Sequence, residues 1–182
     1  MKLFAFLTLS FFLAYGINAQ DKLLDILPLQ GGKVDYTEVV HVDSVSKNEL
    51  YARAKLWLVD TYKSSINVIQ LEDKENGEII GKGFSEIDLH FGLFDNGRID
   101  VIVWQTIKIQ TKDSRYKFEI TDFRLKYLYP SSGPGFVPIT HYDKELEQWD
   151  ADRKFFVDID NKVKGLIESL KSTMKKPIDK NW

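Results

Sequence analysis

A chain of 182 residues with 25 basic and 27 acidic side chains, net charge −2, lacks the electrostatic footprint of a nucleic-acid binder. It has no cysteine, which excludes disulfide, thiol-redox and cysteine-ligated zinc chemistry. It does not argue against export, because one domain of about 160 residues buries roughly two thirds of its unfolded surface without staples.

Lys2, an apolar run over residues 3–15 and then Ile17-Asn18-Ala19 predict a signal peptide, residues 1–19, cut after Ala19. The run is short for a membrane span, and Gln20 and Asp21 follow at once. Gln20, not a cysteine, at the cut disfavours a lipid anchor, and a retained N-terminal anchor is the alternative. Cleavage removes one basic residue and leaves net −3. The expected location is periplasmic or secreted.

Residues 20–33, with Pro28 and Gly31-Gly32, are expected as an extended lead-in. The first strand is placed at 34–42, with Tyr36, Val40 and Val42 on one face and Asp35, Thr37 and His41 on the other. Ser46 with Glu49 is a capping box and predicts a helix to about Ser64, buried through Leu50, Ala54, Trp57 and Thr61 and flanked by Leu58 and Tyr62. A strand over 66–71, a turn at Glu75-Asn76-Gly77 and a strand over 78–87 follow. Gly81 and Gly83 share a face of that strand. Such a pair makes room for something bulky, expected to be Trp57 or Tyr62, or for a ligand.

The strongest β signal is residues 98–129, read as one long hairpin around Asp113-Ser114. Closing that turn pairs Lys112 with Arg115 and sets Ile109 opposite Phe118, Ile107 opposite Ile120 and Lys108 opposite Glu119. Past Ile120 the apolar phase slips by one, to Phe123, Leu125 and Tyr127. A β-bulge at Thr121-Asp122 is therefore predicted, after which Val103 meets Leu125 and Val101 meets Tyr127. Gln105 alone breaks the apolar face. Pro130 to Gly135 ends the sheet, and 137–140 cross over. Thr140 with Asp143 suggests a short helix through Leu146 and Trp149. Asp152 caps a long last helix with Phe156, Ile159, Val163, Leu166, Ile167 and Leu170 on one face; Pro177 stops it. The domain is thus 34–176, with a tail at 177–182.

Several strings carry a resemblance: Tyr36 to Val40, Ser46 to Tyr51, Trp57 with Asp60-Thr61-Tyr62, Asp73 to Gly83, Lys112-Asp113, Arg115-Tyr116 and Ile120 to Phe123. Over about residues 34–125 the chain resembles a bacterial family of exported proteins whose domain is of unknown function and is described as having a fold like the TATA-box-binding protein. The resemblance implies a fold and brings no catalytic residues. Likeness to a DNA-binding fold is weak warrant for DNA binding, because function lives in sites.

Pattern and resemblance together give an α+β domain. It is a curved antiparallel sheet of about five strands in the order β-α-β-β-β-β-α, with helices on one face. Two function classes remain. Ile102 and Trp104 fall on the face away from the core, across from Lys126 and Arg124, so a cation–π pair of Trp104 with Arg124 is expected. With the loops at 88–97, which hold Phe91 and Phe94, and at 130–140 they make a candidate binding surface for a protein or small ligand, or for a second copy of the chain. The rival is a metal-assisted hydrolase at Glu86, Asp88 and His90, which are spaced by twos on a strand. The ordinary reading of that spacing is a solvated strand face. No cofactor is implied.

Overall fold

Two-residue alternation and a two-residue turn build the sheet around which the chain folds. A computed structural model describes residues 25–62, 68–91, 97–127, 142–149, 151 and 153–178; of residues 89–91, 97–100, 127 and 142–143 it describes the backbone alone. The elements run β1 (Leu29–Gln30), β2 (Lys33–Val34), β3 (Tyr36–His41), α1 (Lys47–Tyr62), β4 (Ile69–Asp73) and β5 (Glu78–Phe91). They continue with β6 (Gly97–Lys112), β7 (Arg115–Tyr127), β8 (Tyr142–Glu145), a single 3-10 turn (Leu146–Gln148) and α2 (Arg153–Lys175). The main sheet is antiparallel in the order β3-β7-β6-β5-β4, and β8 also pairs with β7. The predicted signal segment, the crossing at 137–140 and the cap at Asp152 lie outside the described residues. No helix among the described residues is long and apolar enough to cross a membrane.

β6 and β7 form the expected hairpin in the expected register, with Ile109 opposite Phe118, Ile107 opposite Ile120 and Lys112 opposite Arg115. The phase slip is absorbed by a bulge. Thr106 faces Thr121 but Trp104 faces Arg124, so Gln105 opposes both Asp122 and Phe123. Asp122 takes the left-handed conformation, φ 53°, one that aspartate tolerates better than most residues. Val103 then meets Leu125 and Val101 meets Tyr127 as predicted. Lys108 does stand across from Glu119, but its ammonium pairs with Glu78 on β5 at 3.1 Å, and Glu119 takes Lys117 of its own strand.

The bulge also divides the outer edge of β7. β3 covers Arg115 to Ile120, and β8 covers Arg124 to Tyr127. This corrects the short helix expected from Thr140 and Asp143: an unpaired strand edge beyond the bulge recruits 142–145 as a strand, and pairing outweighs a weak capping signal. The lead-in is corrected too. Gly31 and Gly32, both at positive φ, turn it into the small β1–β2 hairpin, which removes Val34 from the first strand and buries it. The Val34 amide donates to Glu147 at 2.7 Å and Lys33 pairs with Glu145 at 2.5 Å, so this hairpin bridges the two partners of β7.

Both helices lie on the apolar face of the sheet. At the start of α1 the Glu49 amide donates to the Ser46 hydroxyl at 3.3 Å, as the capping box requires, and the Lys47 amide donates to Asp113 at the hairpin tip, 2.7 Å. The Glu49 carboxylate also accepts from Arg53 at 3.2 Å. Leu50, Ala54, Trp57 and Leu58 of α1 are buried as expected; Thr61 is only half-buried. α2 buries Phe156, Ile159, Val163, Ile167 and Leu170, while Leu166 stays half-buried and Phe155 and Met174 join the core. Three polar contacts hold α2 in place. The Tyr36 hydroxyl donates to Asp160 at 2.9 Å, the Trp57 indole to Ser169 at 3.1 Å, and the buried Arg53 guanidinium to the Met174 carbonyl at 2.7 Å.

The glycines of β5 admit α1. A Cβ on Gly83 would lie 2.1 Å from the Tyr62 ring, and one on Gly81 would lie 3.1 Å from Leu58. Tyr62 is thus the expected bulky neighbour, with Leu58 in place of Trp57 beside Gly81. The Tyr62 hydroxyl accepts from buried Gln105 at 3.1 Å, which gives a partner to this polar residue on the apolar face of the hairpin. Gly83→Ala should therefore lower stability in urea unfolding by about 1–3 kcal/mol, through displacement of Tyr62 from Gln105. In a Tyr62→Ala background the same substitution should cost far less, and equal costs in both backgrounds would show that the two residues are not coupled.

Burial pushes the Tyr62 phenol up to about 12, against the opposing pull of its Gln105 bond. Burial also raises Tyr116, and it raises Tyr36 further with the bond to Asp160. These phenols ionise near pH 10 in the unfolded chain but resist ionisation in the fold. Their contribution is complete below about pH 10 and is lost as pH climbs toward the folded values. Stability should fall above that pH by up to roughly 1.4 kcal/mol per pH step for each phenol. Tyr62→Phe should make the fall shallower, and an unchanged slope would remove Tyr62 from the account.

Candidate functional site

Strand alternation that sends Val101, Val103 and Gln105 inward sends Ile102 and Trp104 to the outer face, and the bulge keeps them there. The register sets Trp104 opposite Arg124 and Ile102 opposite Lys126, as the sequence reading expected. The cation on the indole is Lys126, however, with its ammonium 5.7 Å from the ring centroid, and not Arg124. The diagonal neighbour reaches the ring in a twisted antiparallel pair, whereas Arg124 stands beside Glu145 of β8. Glu145 carries a carboxyl held below its usual range first by its bond to Lys33 and further by the charge of Arg124.

The sequence reading missed Phe84. Its ring centroid lies 5.2 Å from that of Trp104 at 49°, and the side chain is 43% exposed. The signal was available: if Gly81 and Gly83 face the helix, Lys82, Phe84, Glu86 and Asp88 must face outward. Ile102 and Trp104 are half-buried beside it. Of the other candidates, Phe91 ends β5 opposite Gly97 with its side chain outside the described set, and Phe94 lies outside the described residues altogether.

Glu86 and Asp88 do share the outer face and are exposed. The His90 side chain lies outside the described residues, and among the described residues no three His, Asp or Glu side chains gather as metal ligands. His41 is exposed on β3 opposite Arg115. The arrangement around Trp104 is therefore an aromatic pair with a cation on the ring and two carboxylates further along β5. Such a group can hold a surface against it by burial, stacking and charge.

An antiparallel sheet backed on one face by two helices places the chain among proteins of TBP-like fold. Solved structures bear this out. A TBP-like protein from Parabacteroides distasonis matches with a TM-score of 0.61 at 19% identity, over 84% of this chain and 99% of its own. A DUF4468 family protein from Bacteroides ovatus matches with a TM-score of 0.61 at 15% identity, over 90% of this chain and 99% of its own. Residues 36–126 match the family described as a domain of unknown function (DUF4468) with TBP-like fold, and the chain belongs to that family. No curated protein matches.

Proposed function

We propose that the protein is an exported, non-enzymatic interaction module that docks a protein partner on its outer sheet face at Phe84 and Trp104. The reading rests on the half-open aromatic pair with Lys126 set on the indole, on the face that neither helix occupies. Large aromatic side chains left on a sheet face contribute little to folding and a great deal to a buried interface. Export is supported by Lys2, the apolar run that follows it and Ala19 before Gln20.

Intact mass of the protein recovered from the exported fraction of an expressing bacterium should correspond to a chain that begins at Gln20. A full-length mass in the cytoplasmic fraction would remove the export half of the reading. The docking half is tested by capture from the exported fraction on wild-type protein, Phe84→Ala and Trp104→Ala, with unfolding curves alongside. The partner should bind wild type and weaken more than about tenfold with either variant, at little cost to stability. A self-association lost in the same variants would identify the partner as a second copy of the chain. Equal capture by all three proteins would end the proposal.

A further inference from the structure

Six residues along β6 from Trp104, about 20 Å at the usual strand rise, the outer face ends in a second feature of opposite character. A cleft of about 300 Å³ opens between the tip of the β6–β7 hairpin, the edge strand β3 and the β4–β5 turn. Lys112, Arg115 and Lys117 line it with Gln110, Asn76 and Val39, and among the described residues no acidic side chain does so. Val39 is 52% exposed, an apolar floor beneath three cations.

The charge is left unbalanced by the fold. Asp113, the acid between Lys112 and Arg115 in sequence, turns to the start of α1, where it accepts from the Lys47 amide. Glu78 takes Lys108 and Gln110. Lys117 pairs with Glu119, but Lys112 and Arg115 have no acidic partner among the described residues. Two cations and part of a third therefore face one small space.

The walls are also held in place before any ligand arrives. The hairpin tip is tied to the segment before α1 by Val42 N–H to the Ser114 carbonyl, 2.9 Å, and Ser114 N–H to the Val45 carbonyl, 2.8 Å. The β4–β5 turn is tied to β6 by the Thr111 amide and hydroxyl, both donating to the Gly77 carbonyl at 2.8 and 3.1 Å. Asn76 is oriented by Asp73, which accepts from its amide at 2.9 Å and its side chain at 2.7 Å; these bonds hold the Asp73 carboxyl below its usual range. Gly77 sits at φ 72°, and a Cβ there would meet the Thr111 carbonyl at 2.7 Å, so the turn closes only with glycine. A preformed, cationic, partly apolar cleft selects a ligand by fixed geometry and charge, with little ordering cost.

We propose that this cleft binds the anionic end of a small organic molecule. Its oxyanion groups are held by Lys112 and Arg115, with Lys117 and Asn76 at the rim and its carbon skeleton on Val39. Arg115 supplies the planar fork that suits carboxylate and phosphate alike, and the lysines add charge without directional demand. The site is separate from the aromatic pair, and neither reading depends on the other.

The test is amide-detected NMR titration of the full chain with pyrophosphate and, separately, with citrate. Saturable shifts should concentrate at Lys112, Arg115, Lys117 and Asn76 with a dissociation constant near or below about 1 mM, and should weaken as salt is raised. The double variant Lys112→Ala/Arg115→Ala should weaken binding more than about tenfold, while Lys154→Ala, a cation of α2 paired with Asp158, should change nothing. Both altered side chains in the double variant are exposed, so an unchanged melting curve confirms that the loss is of ligand and not of fold. Tighter binding of pyrophosphate or of citrate assigns the natural anion as phosphoryl or carboxylate. The proposal is overturned by shifts that do not saturate with either probe, or by equal weakening in the double variant and in Lys154→Ala.

Discussion

One extra residue in β7 governs the structure. Ile120 and Phe123 are both apolar, and in a regular strand they would point to opposite faces. The bulge at Asp122, opposite Gln105, returns Phe123 and Leu125 to the face that already holds Phe118 and Ile120. The cost is a non-glycine residue at positive φ and an interrupted ladder. In exchange a single apolar surface runs the length of the longest hairpin, and the strand bends enough for β3 and β8 to divide its outer edge between them. The β1–β2 hairpin joins those two strands where the break falls.

Polar groups then specify how the helices sit on that surface. Apolar burial between α2 and the sheet is non-directional, and Phe156, Ile159, Val163 and Leu170 would tolerate more than one helix rotation. Asp160 on Tyr36, Ser169 on Trp57 and the Met174 carbonyl on Arg53 accept hydrogen bonds along the helix at well-separated points, and together they select one rotation. Lys171 on Glu38, 2.8 Å, adds a contact at the sheet edge. Tyr62 does the same for α1 by entering the space that Gly83 leaves and meeting Gln105. Each of these polar groups, out of place in a hydrophobic pattern, thus has a geometric role.

With one face committed to the helices, both proposed sites fall on the other. Its two ends differ in kind. The Phe84–Trp104 end offers apolar area and one cation, as suits a protein surface. The Lys112–Arg115 end offers concentrated positive charge in a small cleft, as suits a compact anion. Membership in a family of unknown function says nothing about either, because a fold common to distant relatives constrains the core and not the outer residues.

Much of this was readable from residues alone because strand alternation, hairpin turns and helix caps are local. Asp113-Ser114 with flanking alternation implied the register, and the phase slip after Ile120 implied the bulge to within a residue. Gly81-x-Gly83 implied close approach of the first helix, and Ser46 with Glu49 implied where that helix begins. The errors arose where the outcome depended on a distant partner. Residues 142–145 are a strand because β7 leaves an edge beyond its bulge, and Val34 leaves the first strand because Gly31-Gly32 fold it back on Leu29. Arg53 is 5% exposed because the end of α2 supplies a carbonyl from more than a hundred residues away. Lys126, not Arg124, meets Trp104 because sheet twist favours the diagonal. The cationic cleft was invisible for the same reason. The hairpin register pairs Lys112 with Arg115 but does not show that the β4–β5 turn and β3 close around them or that Asp113 turns away to α1. Local periodicity fixes which face a side chain takes; which side chains share that face, and which charges remain unbalanced there, follows from contacts between elements far apart in the chain.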